Sequence, residues 1–178
     1  MPKILINFEY NMNEQQSIVP KDVNDFIDVV ERAIVDKIES GEFVYREFDL
    51  KHTFTPGLYG RQITMLPGDR LTSAIHLTEH QFIISQGKVA VFLNGEKLIL
   101  EAPYHEITKA GTRRVLMIPE DSEVPCIWTT FHATNIMPED DSDEAKERAA
   151  EKIVREITEK HDNVLLNNIE KETYLLNQ

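Results

Sequence analysis

The sequence predicts a mainly β protein: one small antiparallel β-barrel over about residues 57–135, with an N-terminal helix before it and an acidic C-terminal helix after it. Three observations carry this. Between Leu58 and Asn135 the chain is a succession of short strand-like runs, each stopped by turn residues. Ahead of them, apolar residues recur at spacings of three and four. Behind them, from Met137 to Gln178, 12 Asp and Glu face 6 Lys and Arg. The chain therefore divides into an extension at 1–56, a barrel at 57–135 and an acidic helical extension at 136–178.

Each element has a local reason. Lys3 to Tyr10 is a short strand candidate. Pro20 opens a helix with Asp22 in its first turn. Val23, Phe26, Ile27, Val30, Ile34 and Ile38 form one apolar stripe, and Gly41 ends the helix. Phe43, Tyr45 and Phe48 read as a strand running towards Pro56-Gly57. Within the barrel, Tyr59–Leu66 stops at Pro67-Gly68-Asp69 and Leu71–His76 follows. Gln81–Ser85 turns at Gln86-Gly87 into Lys88–Leu93, and Asn94-Gly95 is the hairpin signal that leads to Lys97–Leu100. Tyr104–Thr108, Arg113–Ile118 and Cys126–Ala133 complete the set. Many short, evenly spaced strands make a closed barrel or a double-sheet sandwich. In the acidic extension Asp141 is a candidate helix cap with Glu144 three residues on, and Ala145, Ala149, Ile153 and Ile157 form an apolar seam. Val164, Leu165, Leu166, Ile169, Leu175 and Leu176 in the tail call for an apolar surface, on the barrel or on another chain.

Composition narrows the function classes. The 178 residues carry 19 basic and 31 acidic side chains, a formal charge of −12. That balance argues against general nucleic-acid binding and against anionic membranes. No run approaches the roughly 20 apolar residues that span a bilayer, and no secretory signal is visible. The single cysteine, Cys126, reads as a packed, inert thiol. There is no glycine-rich phosphate loop, no nucleophile elbow and no C-x-x-C pair.

The stretch PGDRLTSAIHLTEHQFIISQGKVAVFLNGE from Pro67 to Glu96 resembles the first motif of the cupin family, and AGTRRVLMIPEDSE from Ala110 resembles the second. Within that superfamily the order YGRQITMLPG, IHLTEHQFIISQGKV, LEAPYHEITKAGTRRV, PED and WTTFHATN is similar to cupin-like proteins encoded by tailed bacteriophages. The resemblance covers about eighty residues. It implies a jelly-roll barrel, and it also shows where the usual metal set is broken. With Gly87 as the motif glycine, His80 stands where a glutamate is usual and His76 at the second histidine of the pair. Ala74 takes the place of the first histidine, and the second-motif histidine falls near Val124.

A relocated site follows from strand period. His76, Thr78 and His80 share one strand face, as do Trp128, Thr130 and His132. If both faces look into the barrel, His76, His80 and His132 meet there, either as ligands for a divalent transition metal (Zn, Fe, Ni, Cu or Mn) or as a plain polar lining. Glu79 should face outward. His105 and Glu106 lie on a short strand near the mouth, while His52 and His161 are expected at the surface. Arg61, Arg113 and Arg114 would either take a carboxylate or phosphate inside the barrel or pair with the chain's many acids, and the composition favours pairing.

The functional expectation is a non-catalytic, phage-type accessory module that binds a small molecule or serves in virion assembly. As partners it would have copies of itself or other phage proteins, and it would reside in the host cytoplasm or the virion. The alternative is a metal-dependent enzyme acting on a small polar substrate through His76, His80 and His132. A third idea is a host-protein inhibitor whose acidic helix mimics nucleic acid.

Overall fold

The structure is a computed structural model that describes residues 23–93 and 96–159. Helix α1 (Val23–Glu39) comes first, and Gly41, with φ of +78°, turns the chain out of it. Ile27, Ile34 and Val35 are buried, and Phe26, Val30 and Ile38 are half-buried, so the stripe read from the sequence is the packing face.

Two antiparallel sheets follow. The first is ordered β1 (Asp49–Thr55), β2 (Leu58–Met65), β10 (Cys126–Ala133), β5 (His80–Gln86) and β8 (Tyr104–Thr108). The second is ordered β3 (Arg70–Thr72), β9 (Val115–Met117), β6 (Lys88–Leu93) and β7 (Glu96–Glu101). Strand β4 (Ile75–His76) pairs with β11 (Thr158–Glu159), which directly follows helix α2 (Asp143–Ile157). Apart from β4 and β11, from β2 onwards the chain alternates between the two larger sheets except along the β6–β7 hairpin. Setting aside β1, four strands of one sheet face four of the other in the order of a jelly roll.

One glycine makes the crossover from β5 to β6 possible. Gly87 has φ of +76°, and a Cβ built there would lie 2.5 Å from the Pro125 carbonyl oxygen. Any side chain would collide with backbone, so the β5–β6 corner and the start of β10 can approach only at glycine.

The inner face of the first sheet is covered twice. At one end Met65, Phe82, Ile84, Cys126 and Trp128 pack against Val89, Val91, Leu116 and Ile118 of the second sheet. At the other end Tyr59 and Phe54 pack against Ala150, Ile153 and Ile157 together with Ile136. Helix α2 is thus a structural cover for the end of the barrel that the short second sheet does not reach. Its buried side, Ala145, Ala149, Ile153 and Ile157, is the seam expected from the sequence, with Ala150 added.

Several expectations are corrected. The run 43–48 is unpaired, and its strand starts only at Asp49. Phe43 lies under the Arg70 guanidinium and Phe48 under that of Arg46, so these aromatics anchor an irregular connection rather than a ladder. Leu71–His76 is split into β3 and β4 because Ser73 leaves the sheet to bond Arg114: its N–H donates to the Arg114 carbonyl, and its Oγ accepts the Arg114 N–H. Arg113–Ile118 shortens to β9. The cap of α2 is Ser142, whose Oγ accepts the Ala145 N–H, and not Asp141. Lys3–Tyr10, the Pro20 start, the Asn94-Gly95 turn, the tail leucines and His161 lie outside the described residues.

Candidate functional site

Three strands deliver the three histidines. Along β10, Cys126, Trp128, Thr130 and His132 alternate with outward residues, and Trp128 and His132 are both buried. Along β5, His80, Phe82 and Ile84 take the inward positions. His76 sits on β4, held by its N–H to the Thr112 carbonyl and by the Gly111 N–H to its own carbonyl. Thr78 does not share their face; it is exposed in the turn between β4 and β5. The single strand face expected for 76, 78 and 80 is therefore a bend, and it still brings His76 and His80 together.

The rings cluster. Their centroids are 4.3 Å apart for His76 and His80, 4.4 Å for His80 and His132, and 6.0 Å for His76 and His132. Burial holds His76 and His132 neutral, pushing each down to about 3, with the neighbouring rings and arginines acting in the same direction. His80 is lowered for the same leading reason. The buried Nδ1 atoms of His76 and His132 have no hydrogen-bond partner. His80 Nδ1 lies 3.2 Å from the Thr78 carbonyl oxygen, a contact in which Nδ1–H donates and Nε2 is left open.

The cluster continues outward. Tyr59 stacks between His132 and His52, and His52 Nδ1 is 2.8 Å from the Tyr59 hydroxyl. His52 Nε2 reaches to 3.0 Å from Glu147 on α2. His52 was expected at the surface, yet its side chain is only 9% exposed. The signal was present in the sequence: Leu50, His52 and Phe54 alternate with polar residues, which puts His52 on the inner face.

The arginines divide. Arg113 forms a structural network, with Nη2 2.9 Å from Glu31 Oε2 and Nη1 against Asp28, clamping α1 to the barrel. Thr72 Oγ1 donates to the same glutamate at 2.9 Å. Arg114, one residue on, points the other way, into the barrel. Its Nη2 donates to Thr108 Oγ1 at 2.7 Å, directly across from His80, and its guanidinium lies over Phe82 and Trp128. For Arg114 the expected pairing with an acid does not occur among the described residues, and neither does it for half-buried Arg61.

The remaining candidates fall outside the cluster. Glu79 is exposed and paired with Lys109 at 2.7 Å. His105 is exposed, and Glu106 accepts the Tyr104 hydroxyl at 2.6 Å at the open edge of the sheet. Cys126 is fully buried, and burial pushes its thiol up to about 12, so it is no nucleophile at neutral pH.

The metal reading meets a mixed test. Three neutral imidazoles, one oriented by a carbonyl, are sound ligand chemistry. Among the described residues, however, no group of three or more His, Cys, Asp or Glu side chains is arranged to hold a metal ion. None of the helices among those residues is long and apolar enough to cross a membrane.

No protein-family model matches the chain, and no curated protein matches it. Among solved structures it is similar to the cupin domain of Cnp3 from Schizosaccharomyces pombe, with 16% identity, 65% of this chain and 75% of that one covered, and a TM-score of 0.43. It is also similar to a double-stranded β-helix protein from Klebsiella pneumoniae, with 20% identity, coverage of 53% and 86%, and a TM-score of 0.43. A third is the cupin domain of an XRE-family transcriptional regulator from Enterobacter cloacae, with 14% identity, coverage of 48% and 95%, and a TM-score of 0.42. Likeness of this size carries no argument about activity, and the jelly roll rests on the strand order described above.

Proposed function

We propose that the chain is a non-catalytic binding module that takes a small polar molecule at the histidine-lined end of its barrel. The observation that carries this reading is the pair of buried ring nitrogens, on His76 and His132, that lack a partner. Buried polar atoms are nearly always satisfied, and an outside group that donates to them would complete the site. Neutral imidazoles recognise by hydrogen bonding, and among the described residues no acidic side chain stands among the three rings to act as a general base.

The module reading extends to an accessory or assembly role, as a phage-type cupin-like protein in the host cytoplasm or the virion. Its support is the ordered sequence resemblance together with apolar side chains on the outermost strands. Leu98 and Ile99 on β7 and Ile107 on β8 are exposed. Light scattering of the full chain tests it: a mass near twice 20.6 kDa or higher is expected, and a monomer at all concentrations would remove the assembly role.

A second reading has the same three histidines hold a divalent transition metal, which would supply Lewis acidity to a bound substrate. The Thr78 contact that orients His80 favours it. Metal analysis of protein purified without a polyhistidine tag separates the two. The binding-module reading expects substoichiometric metal and a melting temperature unmoved by chelator. One tightly held metal per chain, lost in His80→Ala, would replace it with the metal-dependent reading.

A further inference from the structure

We infer that Arg114 anchors an anion subsite, so that the small molecule bound at this end of the barrel carries an oxyanion group, a carboxylate or a phosphate. The inference rests on the binding-module reading and names its ligand class.

Arg114 is 6% exposed, yet among the described residues its side chain donates only one hydrogen bond, to Thr108, and its buried Nε has no partner. A guanidinium has five N–H donors, so most of its capacity is unspent. Phe82 and Trp128, themselves stacked 4.1 Å apart, supply aromatic surface to its carbon but accept no N–H in the plane of the fork. Glu106 is the acidic group in electrostatic reach, and it is an exposed residue without an ion pair to Arg114. Burial lowers the arginine to about 10, which leaves it charged at neutral pH.

A buried cation without a counter-ion is costly to folding. Arg113 shows how the same chain handles a purely structural arginine: it gives that one two carboxylates. The contrast between adjacent arginines, one fully paired and one left open beside three neutral histidines, points to a charge kept for a ligand. Arg61, half-buried and electrostatically felt by His76 and His132, extends the positive field on the far side of the rings. In a molecule of net charge −12, this interior is the place where an anion meets cations rather than acids. A planar oxyanion would take its hydrogen bonds from the Arg114 fork, while the open Nε2 of neutral His80 is an acceptor suited to a hydroxyl on the same molecule.

The test is the melting temperature of the full chain with succinate or inorganic phosphate, against chloride at matched ionic strength. A rise of about 3–6 °C is expected at an oxyanion concentration ten times its dissociation constant. In Arg114→Gln the rise should vanish. Arg114→Lys keeps the charge but loses the fork, and should weaken binding about tenfold or more. Equal curves in succinate, phosphate and chloride would overturn the inference, as would an undiminished rise in Arg114→Gln. Failure of both variants to fold, with no rise in the unmodified chain, would make Arg114 structural and overturn it too. His80→Asn and His132→Asn separate the two readings: a rise that survives both supports the anion subsite while removing the histidines from recognition. A rise lost in both supports the two together.

Discussion

At the scale of single residues, His76 and His132 make the fold sensitive to acid. Both are held at about 3 in the fold, against an ordinary value near 6.5 in the unfolded chain. A depressed folded value means the unfolded state binds the proton more readily. The stability these two groups confer is present above pH 6.5 and is lost as pH falls towards 3. Between pH 7 and pH 5 the metal-free chain should lose up to about 2 kcal/mol for each ring. Urea unfolding at the two pH values measures the loss, and His132→Asn should flatten the slope by roughly one group. Gly87 makes a second residue-scale prediction. Gly87→Ala forces a Cβ to 2.5 Å from a carbonyl oxygen at a positive φ, so unfolding should become easier by at least about 1–3 kcal/mol. Of these residues Gly87 was legible from its motif, and His132 from period two along β10. Arg114 was not, because composition makes pairing the default and only the strand's facing decides which of two adjacent arginines meets an acid.

At the scale of elements, both helices bury an apolar face, and α1 adds a buried charged clamp that α2 lacks among the described residues. Helix α1 is clamped by charge. Arg113 and Glu31 are both almost wholly buried, so Arg113→Ala strands the carboxylates and should cost about 3–5 kcal/mol in equilibrium unfolding. Helix α2 is held by apolar packing on Tyr59. Ile153 is 1% exposed, and Ile153→Ala should cost about 2–5 kcal/mol. The α2 seam could be read from the sequence because its spacing repeats over four turns. Its start could not be read to the residue, since Asp141 and Ser142 are both good caps and hydrogen-bond geometry chose between them. The break between β3 and β4 was hidden for another reason. Strand β4 pairs with β11, some eighty residues away, and no local pattern announces such a partner.

At the scale of the whole molecule, two apolar clusters meet along the inner face of one sheet, and the histidines occupy the seam between them. The second sheet closes one side and α2 closes the other. This arrangement explains why the three imidazoles gather: the strands of the jelly roll supply the inward positions, and α2 covers the end of the barrel beside them. The frame was legible from turn residues and motif order. The cover was legible only as an apolar stripe without an address, because its target, Tyr59, lies far away in the chain.

A buried cluster of neutral imidazoles is the proposed working end of this barrel. Nitrogen-detected NMR of the histidine rings through an acid titration tests it most directly. The rings of His76 and His132 should stay neutral at pH 5, and His80, lowered by the same burial, should carry its proton at Nδ1. Three rings titrating together near 6.5 would contradict it.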